Sequence, residues 1–283
     1  MAPMIQGLRC QLHHNSLSCS QNEPNYYHSE RKGKMSEQTR TLTAQMEPFD
    51  SFWEGPENIE SGYHKFFLFY KNNYLPHVPQ NKDASILVVS CGPGYMVNML
   101  NKEGYKNVIG IDSFAEKINY AKEKNLNCET ATVFEYLENN DTQYDLIFCE
   151  QELNHLTKDE QIEFLNLCWE KLKDNGQIIA HALNGANPIT GPEALAQNFD
   201  HYNTFTEYTI KQVFEFTHFN KIKVFPLNLY VFYNNPLNYV LIALSALYTA
   251  FFRISFIMYG KSNKLFTKKI GAVATKAPRP TTS

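Results

Sequence analysis

Three residues at the ends of two apolar runs have the types and the spacing to bind a nucleoside. Gly92 and Gly94 follow the apolar run 86–89, and Asp112 ends the run 107–112, eighteen residues after Gly94. Glycine has no side chain, so the backbone of such a turn can approach a ligand closely, and a helix behind it offers free N–H groups. A carboxylate on the next strand can accept both hydroxyls of a ribose. These residues predict a nucleotide-derived ligand at the carboxyl ends of parallel strands.

Two histidines follow predicted strands at the same edge and could act as a general base. His155 comes after the run 144–149, and His201 lies in the long loop after the run 177–183. Imidazole is well matched to proton transfer near neutral pH. The alternatives are that His155 only braces its loop and that His201 is a surface residue. His181 lies within a predicted strand, and we expect it to be a packed core residue.

Apolar runs of strand length alternate with helix-length segments through most of the chain. The predicted strands are residues 86–89, 107–112, 128–132, 144–149, 177–183, 221–225 and 269–275. Alternation at this spacing predicts an α/β fold with a Rossmann-like, seven-stranded, mostly parallel sheet and helices on both faces. Two helices are expected to begin at capping boxes, one from Ser113 to Glu116 and one from Thr157 to Glu160.

The pattern predicts one domain with an extension at each end. Residues 1–46 are polar and mixed, which predicts a disordered extension without a secretory signal. The alternating pattern belongs to a domain over residues 47–276, and residues 277–283 are expected to form a flexible tail.

An apolar stretch at residues 237–260 is expected to form a helical insertion between strands six and seven. Its length approaches the ~20 residues that span a bilayer, but a single crossing would place strand seven on the wrong side of the membrane. A helix lying on a membrane surface, or packing against a second copy in a homo-oligomer, is therefore favoured. Lys261, Lys264, Lys268 and Lys269 would suit anionic headgroups. The alternative is an ordinary helix that covers the sheet.

The composition argues against nucleic acid and metal as partners. The formal net charge is −3, and no basic block is longer than two lysines, so an electrostatic footprint for nucleic acid is absent from the sequence. None of the six cysteines forms a CxxC pair, which disfavours a zinc site and a disulfide framework. Unpaired cysteines are typical of a reducing compartment. We expect a cytoplasmic location, with membrane association through the apolar helix left open.

The order of these motifs resembles that of class I S-adenosylmethionine (SAM)-dependent methyltransferases, over most of the chain. The motifs that carry the resemblance are residues 86–94, 107–112, 144–156 and 171–183. A narrower resemblance is to methyltransferases encoded with bacterial surface-polysaccharide enzymes, and it rests on residues 184–188, 201–207 and 251–276. The resemblance implies an antiparallel last strand in the sheet.

The resemblance also implies SAM as the cofactor and assigns its contacts. The expected contact residues are Tyr63, Ser90, Gly92, Gly94, Asp112, Thr132, Val133, Phe134, Glu150 and Gln151. The glycine turn would line the methionine part and Asp112 would hold the ribose. Residues 132–134 would flank the adenine, and residues 150–151 would lie near the sulfonium. Tyr63 belongs to an N-terminal helix that would close over the cofactor.

Three positions depart from the pattern of that family. Val88 stands where an acidic residue is usual, Ser90 replaces a glycine, and Thr132 replaces the acidic residue that meets the adenine amine. These departures leave a catalytically inactive methyltransferase-fold protein, with a binding or scaffold role, as an alternative. An NAD-dependent oxidoreductase is disfavoured because Val97 stands at the third glycine of the dinucleotide fingerprint.

The expected function is transfer of the SAM methyl group to a small-molecule or carbohydrate-type (glycan) acceptor by O-methylation. A hydroxyl is a poor nucleophile at neutral pH, so the reaction needs a base, and His155 or His201 is the expected one.

Overall fold

The computed structural model describes residues 56–150, 152–196, 198–199, 201–227 and 235–277. The expected extension at residues 1–46 lies outside this range, as do residues 278–283 of the expected tail. The helices are α1 Pro56–Asn73, α2 Tyr95–Lys102, α3 Ala115–Glu123, α4 Val133–Asn139, α5 Glu152–His155, α6 Lys158–Lys171, α7 Gly191–Ala196, α8 Glu207–Phe216 and α9 Pro236–Met258. The strands are β1 Ser85–Val89, β2 Asn107–Asp112, β3 Cys128–Thr130, β4 Tyr144–Glu150, β5 Leu172–Leu183, β6 Phe219–Leu227 and β7 Lys269–Lys276.

The seven strands of the described residues form a single sheet in the order β3-β2-β1-β4-β5-β7-β6. Strands β1 to β5 are parallel to one another, whereas β7 is antiparallel to both β5 and β6. The expected seven-stranded, mostly parallel sheet with an antiparallel last strand is confirmed. Because β7 enters between β5 and β6, the order differs from the 3-2-1-4-5-6 order of dinucleotide-binding sheets.

Helices cover both faces of this sheet, so its central strands are buried on both sides. Val88 and Phe148 face the core beneath α1, α2 and α3. Leu87 and Ile147 face the opposite core, beneath α4, α6 and α8. Neighbouring residues point to opposite faces because side chains alternate along a strand. Strand positions buried on both faces are apolar in succession, which is why residues 86–89 of β1 and 146–149 of β4 are visible in the sequence as continuous apolar runs.

One of the two predicted capping boxes is present and the other is wrong. Thr157 caps α6, with its hydroxyl accepting the N–H of Glu160 and the Glu160 carboxylate accepting the N–H of Thr157. Helix α3 begins instead after Phe114, without a side-chain cap from Ser113. The carboxylate of Asp112 accepts the N–H of Phe114 at 2.9 Å, so an acidic residue at the strand end takes the place of the predicted cap.

Helix α9 is the apolar element expected between strands six and seven. It is 23 residues long, with a mean hydropathy of 1.9 in its most apolar 18-residue window, and none of that window is buried. By length and composition α9 is the one helix in the described part of the chain that could cross a membrane. Asn235 caps its first turn, where the Asn235 side chain accepts the N–H of Leu237. The alternative that this helix covers the sheet is wrong, because its surface is largely exposed.

Candidate functional site

The candidate site lies at the carboxyl ends of β1, β2 and β4, where the chain leaves the sheet in three loops. Strand β1 ends at Val89, β2 at Asp112 and β4 at Glu150. Strand β1 lies between β2 and β4. The chain adds β2 and β3 on one side of β1 and then crosses over to add β4 and β5 on the other side. Such a reversal opens a crevice at the carboxyl edge, and α/β sheets bind ligands there.

The glycine turn and Asp112 are in direct contact. The N–H of Gly92 donates to Oδ2 of Asp112 at 2.8 Å, while Oδ1 accepts the N–H of Phe114. A carboxylate has about four lone-pair positions, so Asp112 retains acceptor capacity for two ribose hydroxyls. The structure therefore brings together the two elements that the sequence predicted as a nucleoside site.

The turn itself depends on the absence of side chains. Gly92 and Gly94 have φ of +53° and +84°, a left-handed conformation that glycine adopts without steric cost. A Cβ atom at Gly94 would lie 2.9 Å from Cδ1 of Leu126, whereas at Gly92 it would meet no heavy atom within 4 Å. Gly94 therefore packs closely against Leu126 behind the turn, and Gly92 leaves open space beside Asp112. An adenosine-containing cofactor fits this arrangement of a free backbone surface beside a carboxylate.

Ser90 occupies the same turn in an unfavourable conformation. Its φ is +53°, and a residue with a side chain pays about 1–2 kcal/mol in the left-handed region. The sequence resemblance expected a glycine here, and the backbone geometry explains that expectation.

The adenine side of the candidate site follows β3. Thr132 is exposed, and its hydroxyl donates to the Glu135 carboxylate at 3.3 Å. Val133 is half-buried, whereas Phe134 is buried and its ring packs edge to face against Phe164, with centroids 6.4 Å apart. The side chain of Phe134 thus belongs to the core, and only its backbone is available to a ligand.

Glu150 lies in a network that links α1 to the sheet. Tyr70 in α1 donates its hydroxyl to Oε2 of Glu150 at 2.5 Å. Nδ1 of His181, in β5, lies 3.5 Å from Oε1 of Glu150 and 2.7 Å from the hydroxyl of Tyr74. His181 is fully buried, as predicted. Its contact with Glu150 was not predicted, because it depends on two neighbouring strands and a helix remote in sequence.

This network has a defined charge state near neutral pH. Burial opposes ionisation of Glu150, yet hydrogen bonds from His181 and Tyr70 keep its pKa below the ordinary value. Burial lowers the pKa of His181 to about 4, and the nearby Lys269 acts in the same direction. The pair therefore consists of a carboxylate and a neutral imidazole. A fixed negative charge at the end of β4 suits a cationic group in the crevice.

Tyr63 connects α1 to the glycine turn. Its hydroxyl donates to the carbonyl oxygen of Pro93 at 2.5 Å, and its ring meets Tyr95 edge to face at 5.0 Å. Burial raises the pKa of Tyr63, so the phenol stays protonated and remains a donor. The predicted N-terminal helix thus covers the glycine turn, and the Tyr63 side chain bonds to the backbone of that turn at Pro93.

The two predicted bases, His155 and His201, lie against each other. Their ring centroids are 4.6 Å apart, with ring planes inclined at 67°. His201 is 7% exposed, so the alternative of a surface histidine is wrong. Nδ1 of His201 lies 2.6 Å from the carbonyl oxygen of Ala194, which can only accept, so Nδ1 carries the proton. Nε2 is then an acceptor, 3.3 Å from the amide nitrogen of Asn198.

Two asparagines that the sequence did not single out hold this histidine pair in place. Asn154 is fully buried, donates to the carbonyl of Asn203 at 2.7 Å and accepts the N–H of Leu183. Asn203 donates in turn to the carbonyl of Leu156 at 2.8 Å. These bonds tie the loop after β5 to α5. The sequence signals for these bonds were the positions of the two asparagines. One lies one residue before His155 and the other lies two residues after His201.

Two further predictions concern Gln151 and a metal site. Gln151, predicted near the sulfonium, lies outside the described residues. In the described ranges, groups of three or more His, Cys, Asp or Glu side chains that could hold a metal ion are absent.

Comparisons with known proteins match part of the chain to a methyltransferase domain. Residues 86–176 match the family described as Methyltransferase domain. A ubiquinone biosynthesis O-methyltransferase of Rickettsia bellii is 32% identical over 113 residues, which cover 38% of this chain and 45% of that enzyme. The match therefore spans less than half the length of the curated relatives.

Solved structures establish the fold. A SAM-dependent methyltransferase from Archaeoglobus fulgidus superposes with a TM-score of 0.58 at 18% identity, covering 78% of this chain and all of that one. A phosphoethanolamine N-methyltransferase from Haemonchus contortus, in complex with phosphomonomethylethanolamine and S-adenosylhomocysteine, gives 0.51 at 16% identity, covering 80% of this chain and 59% of that one. The match to a methyltransferase domain supports S-adenosyl-L-methionine as the cofactor.

Proposed function

We propose that this chain is a SAM-dependent methyltransferase acting on a small-molecule acceptor. The observation that carries the proposal is the hydrogen bond between the Gly92 N–H and the Asp112 carboxylate, at the carboxyl edge of a sheet in the order β3-β2-β1-β4-β5-β7-β6. The match of residues 86–176 to a methyltransferase domain supports the same conclusion.

Each part of the cofactor has a proposed contact. The turn at Gly92 and Gly94 lines the methionine portion, Asp112 holds the ribose hydroxyls, and residues 132–134 flank the adenine. When bound, SAM supplies an electrophilic methyl group on a positively charged sulfur. The ionised carboxylate of Glu150 favours binding of that positive charge, and Gln151 follows it directly in sequence.

The histidine pair is proposed to remove a proton from the acceptor. Nδ1 of His201 is held by the Ala194 carbonyl, so Nε2 is the basic atom of that ring. His155 lies against the same ring and is more exposed. One of the two imidazoles takes the proton of an acceptor hydroxyl as its oxygen becomes the nucleophile. A need for a base favours O-methylation, because a hydroxyl, unlike a neutral amine, must lose its proton to react well.

The proposal also includes a class of acceptor. A carbohydrate-type acceptor rests on the sequence resemblance to methyltransferases encoded with surface-polysaccharide enzymes. O-methylation of a small molecule also agrees with the name of the Rickettsia bellii relative. A cytoplasmic location is proposed because none of the six cysteines in the sequence forms a CxxC pair, which disfavours a disulfide framework.

Isothermal titration calorimetry with SAM, S-adenosylhomocysteine and NAD tests the proposal. We expect binding of the first two and no binding of NAD. Absence of SAM and S-adenosylhomocysteine binding at millimolar concentration would defeat the proposal. Binding of S-adenosylhomocysteine without transfer to any acceptor would favour the alternative, an inactive protein with a binding or scaffold role.

A further inference from the structure

Helix α9 exposes a continuous apolar stripe. Leu237, Leu244, Phe251 and Met258 recur at intervals of seven residues, and Leu247 and Ile254 fill the turns between them. A spacing of three and four residues places these side chains on one side of a helix. Each of the six is between 44% and 80% exposed. A contiguous apolar surface of this length is a mark of an interaction site.

The opposite side of α9 is attached to the domain. Phe252 and Phe256 pack against Phe266, with ring centroids 6.1 and 4.7 Å apart. The only charged residue of the helix, Arg253, lies nine residues after Leu244, which is two and a half helical turns and therefore the far side from the stripe. The C-terminal half of the helix is thus packed against the segment that precedes β7, with its apolar stripe outward.

The topology places α9 at the same edge of the sheet as the candidate site. Lys269, the first residue of β7, pairs with Leu183 at the end of β5 and with Leu227 at the end of β6. Strand β5 is parallel to β4, so Leu183 and Glu150 end their strands at one edge. The connection that contains α9 therefore leaves and re-enters the sheet at the carboxyl edge.

The segment after α9 is bonded to the loop that carries His201. The Asn184 side chain donates to the carbonyls of Leu265 and Thr267 at 3.1 and 2.8 Å. The Glu207 carboxylate, six residues after His201, accepts the N–H groups of Lys264 and Leu265. The segment that follows the apolar helix is consequently attached on both sides of the loop that carries His201.

Acidic and basic residues are unevenly distributed along the sequence. Residues 216–283 contain nine Lys and Arg and no Asp or Glu, whereas residues 1–215 contain 17 Lys and Arg and 29 Asp and Glu. Lys261 and Lys264 are exposed just beyond the end of the helix. An apolar stripe with exposed lysines just beyond its end is complementary to a surface of hydrocarbon and anionic headgroups.

We propose that α9 docks on an anionic phospholipid bilayer, lying along its surface with the apolar stripe inserted and the carboxyl edge of the sheet facing the lipid. A transmembrane orientation conflicts with the sheet, because β6 and β7 flank α9 and are hydrogen-bonded to each other. Their pairing keeps both ends of the α9 connection on one side of the membrane.

Vesicle flotation with the full chain tests the docking. We expect the protein to float with vesicles of phosphatidylcholine and phosphatidylglycerol, and about tenfold less with phosphatidylcholine alone, because the lysines beside the stripe then have no anionic headgroups to attract them. The variant Leu244→Glu/Phe251→Glu places two charges in the stripe and should abolish flotation. The control Ala246→Glu/Ile257→Glu adds the same charge to the helix outside the stripe. This control should float more than the stripe variant does.

Two results would overturn the docking. One is equal flotation of the stripe variant and the control. The other is a lipid-free dimer in sedimentation velocity that the stripe variant dissociates, because the stripe would then be an interface between two copies. Circular dichroism of both variants confirms that they are folded.

Quenching by brominated lipids tests the orientation. Tyr202→Trp places a tryptophan in the loop at the carboxyl edge, and Asp174→Trp places one near the start of β5, at the amino edge. We expect added quenching, above that of native Trp53 and Trp169, for the first variant only. Equal quenching of both, or quenching of the second alone, would contradict the proposed orientation.

Discussion

The imidazole rings of His155 and His201 meet edge to face, with centroids 4.6 Å apart. His155 ends α5 and His201 lies in the loop after α7, so α6, β5 and α7 separate them in sequence. The side chains of Asn154 and Asn203 bond these two segments together. The pair thus combines one ring with a fixed tautomer and one that is more accessible, which is a suitable arrangement for accepting a proton from a substrate.

Removal of the base should slow transfer without preventing cofactor binding. For His155→Ala and His201→Ala we expect kcat for methyl transfer to fall by about 10²- to 10⁴-fold in at least one variant, because a positioned base contributes that much. Affinity for SAM, measured by calorimetry, should stay within a few-fold of the parent. The exposed His64 provides a matched control as His64→Ala. Unchanged kcat in both variants would exclude the histidine pair as the base.

Ser90→Gly should stabilise the protein. The left-handed conformation of Ser90 costs about 1–2 kcal/mol, and glycine avoids that cost while losing about 0.5–1 kcal/mol of backbone entropy on folding. The net increase in the free energy of unfolding should be several tenths to about 1 kcal/mol, measured by urea denaturation. Ser85→Gly, in the extended strand β1, should be destabilising. A lower stability for Ser90→Gly would show that the Ser90 side chain contributes more than its backbone strain costs.

Gly94→Ala should be more harmful than Gly104→Ala. Both glycines have positive φ, so both substitutions carry the left-handed cost. Only at Gly94 does the new Cβ meet neighbours, with Leu126 Cδ1 at 2.9 Å, and crowding of a packed site adds about 1–3 kcal/mol. Urea denaturation measures the difference. Equal losses at the two positions would mean that packing behind the turn adjusts freely.

The buried His181 should make stability depend on pH. Its folded-state pKa is about 4, below the ordinary value of about 6.5. Between these values the unfolded chain binds more protons, so the free energy of unfolding should fall as the pH is lowered from about 6.5 to about 4. His181→Gln should flatten this dependence, and His64→Gln should not. An unchanged slope in His181→Gln would place the pH dependence elsewhere, for example at His77, whose pKa burial also lowers.

The contact between the glycine turn and Asp112 could be predicted because the sequence signals for it are local. A run of apolar residues, a turn of glycines and an acidic strand end are each readable in a few positions, and parallel strands bring their ends together. The prediction of a capping box at Ser113 was wrong because it depended on a local sequence pattern alone. The pattern matched, but the Asp112 carboxylate, two residues before Phe114, already accepted the N–H group at the helix start.

The network around Glu150 could not be predicted from the sequence. Tyr70, Glu150 and His181 lie on α1, β4 and β5, and their contact depends on how α1 crosses the sheet. Helix α1 presents several aromatic residues, and only the packed structure shows that the Tyr70 hydroxyl reaches the carboxylate. Likewise, the sequence left open whether His201 is a surface residue, because its burial results from the hydrogen bonds of the surrounding loop.

The ribose contact of Asp112 is the central claim, and the affinity of Asp112→Ala for S-adenosylhomocysteine tests it most directly. Loss of hydrogen bonds to a charged group costs about 1.5–3 kcal/mol, so calorimetry should show at least about tenfold weaker binding. Asp141→Ala, which removes an exposed carboxylate, should bind like the parent chain. If Asp112→Ala still unfolds cooperatively and binds with unchanged affinity, the nucleoside is held elsewhere and the proposed site is wrong.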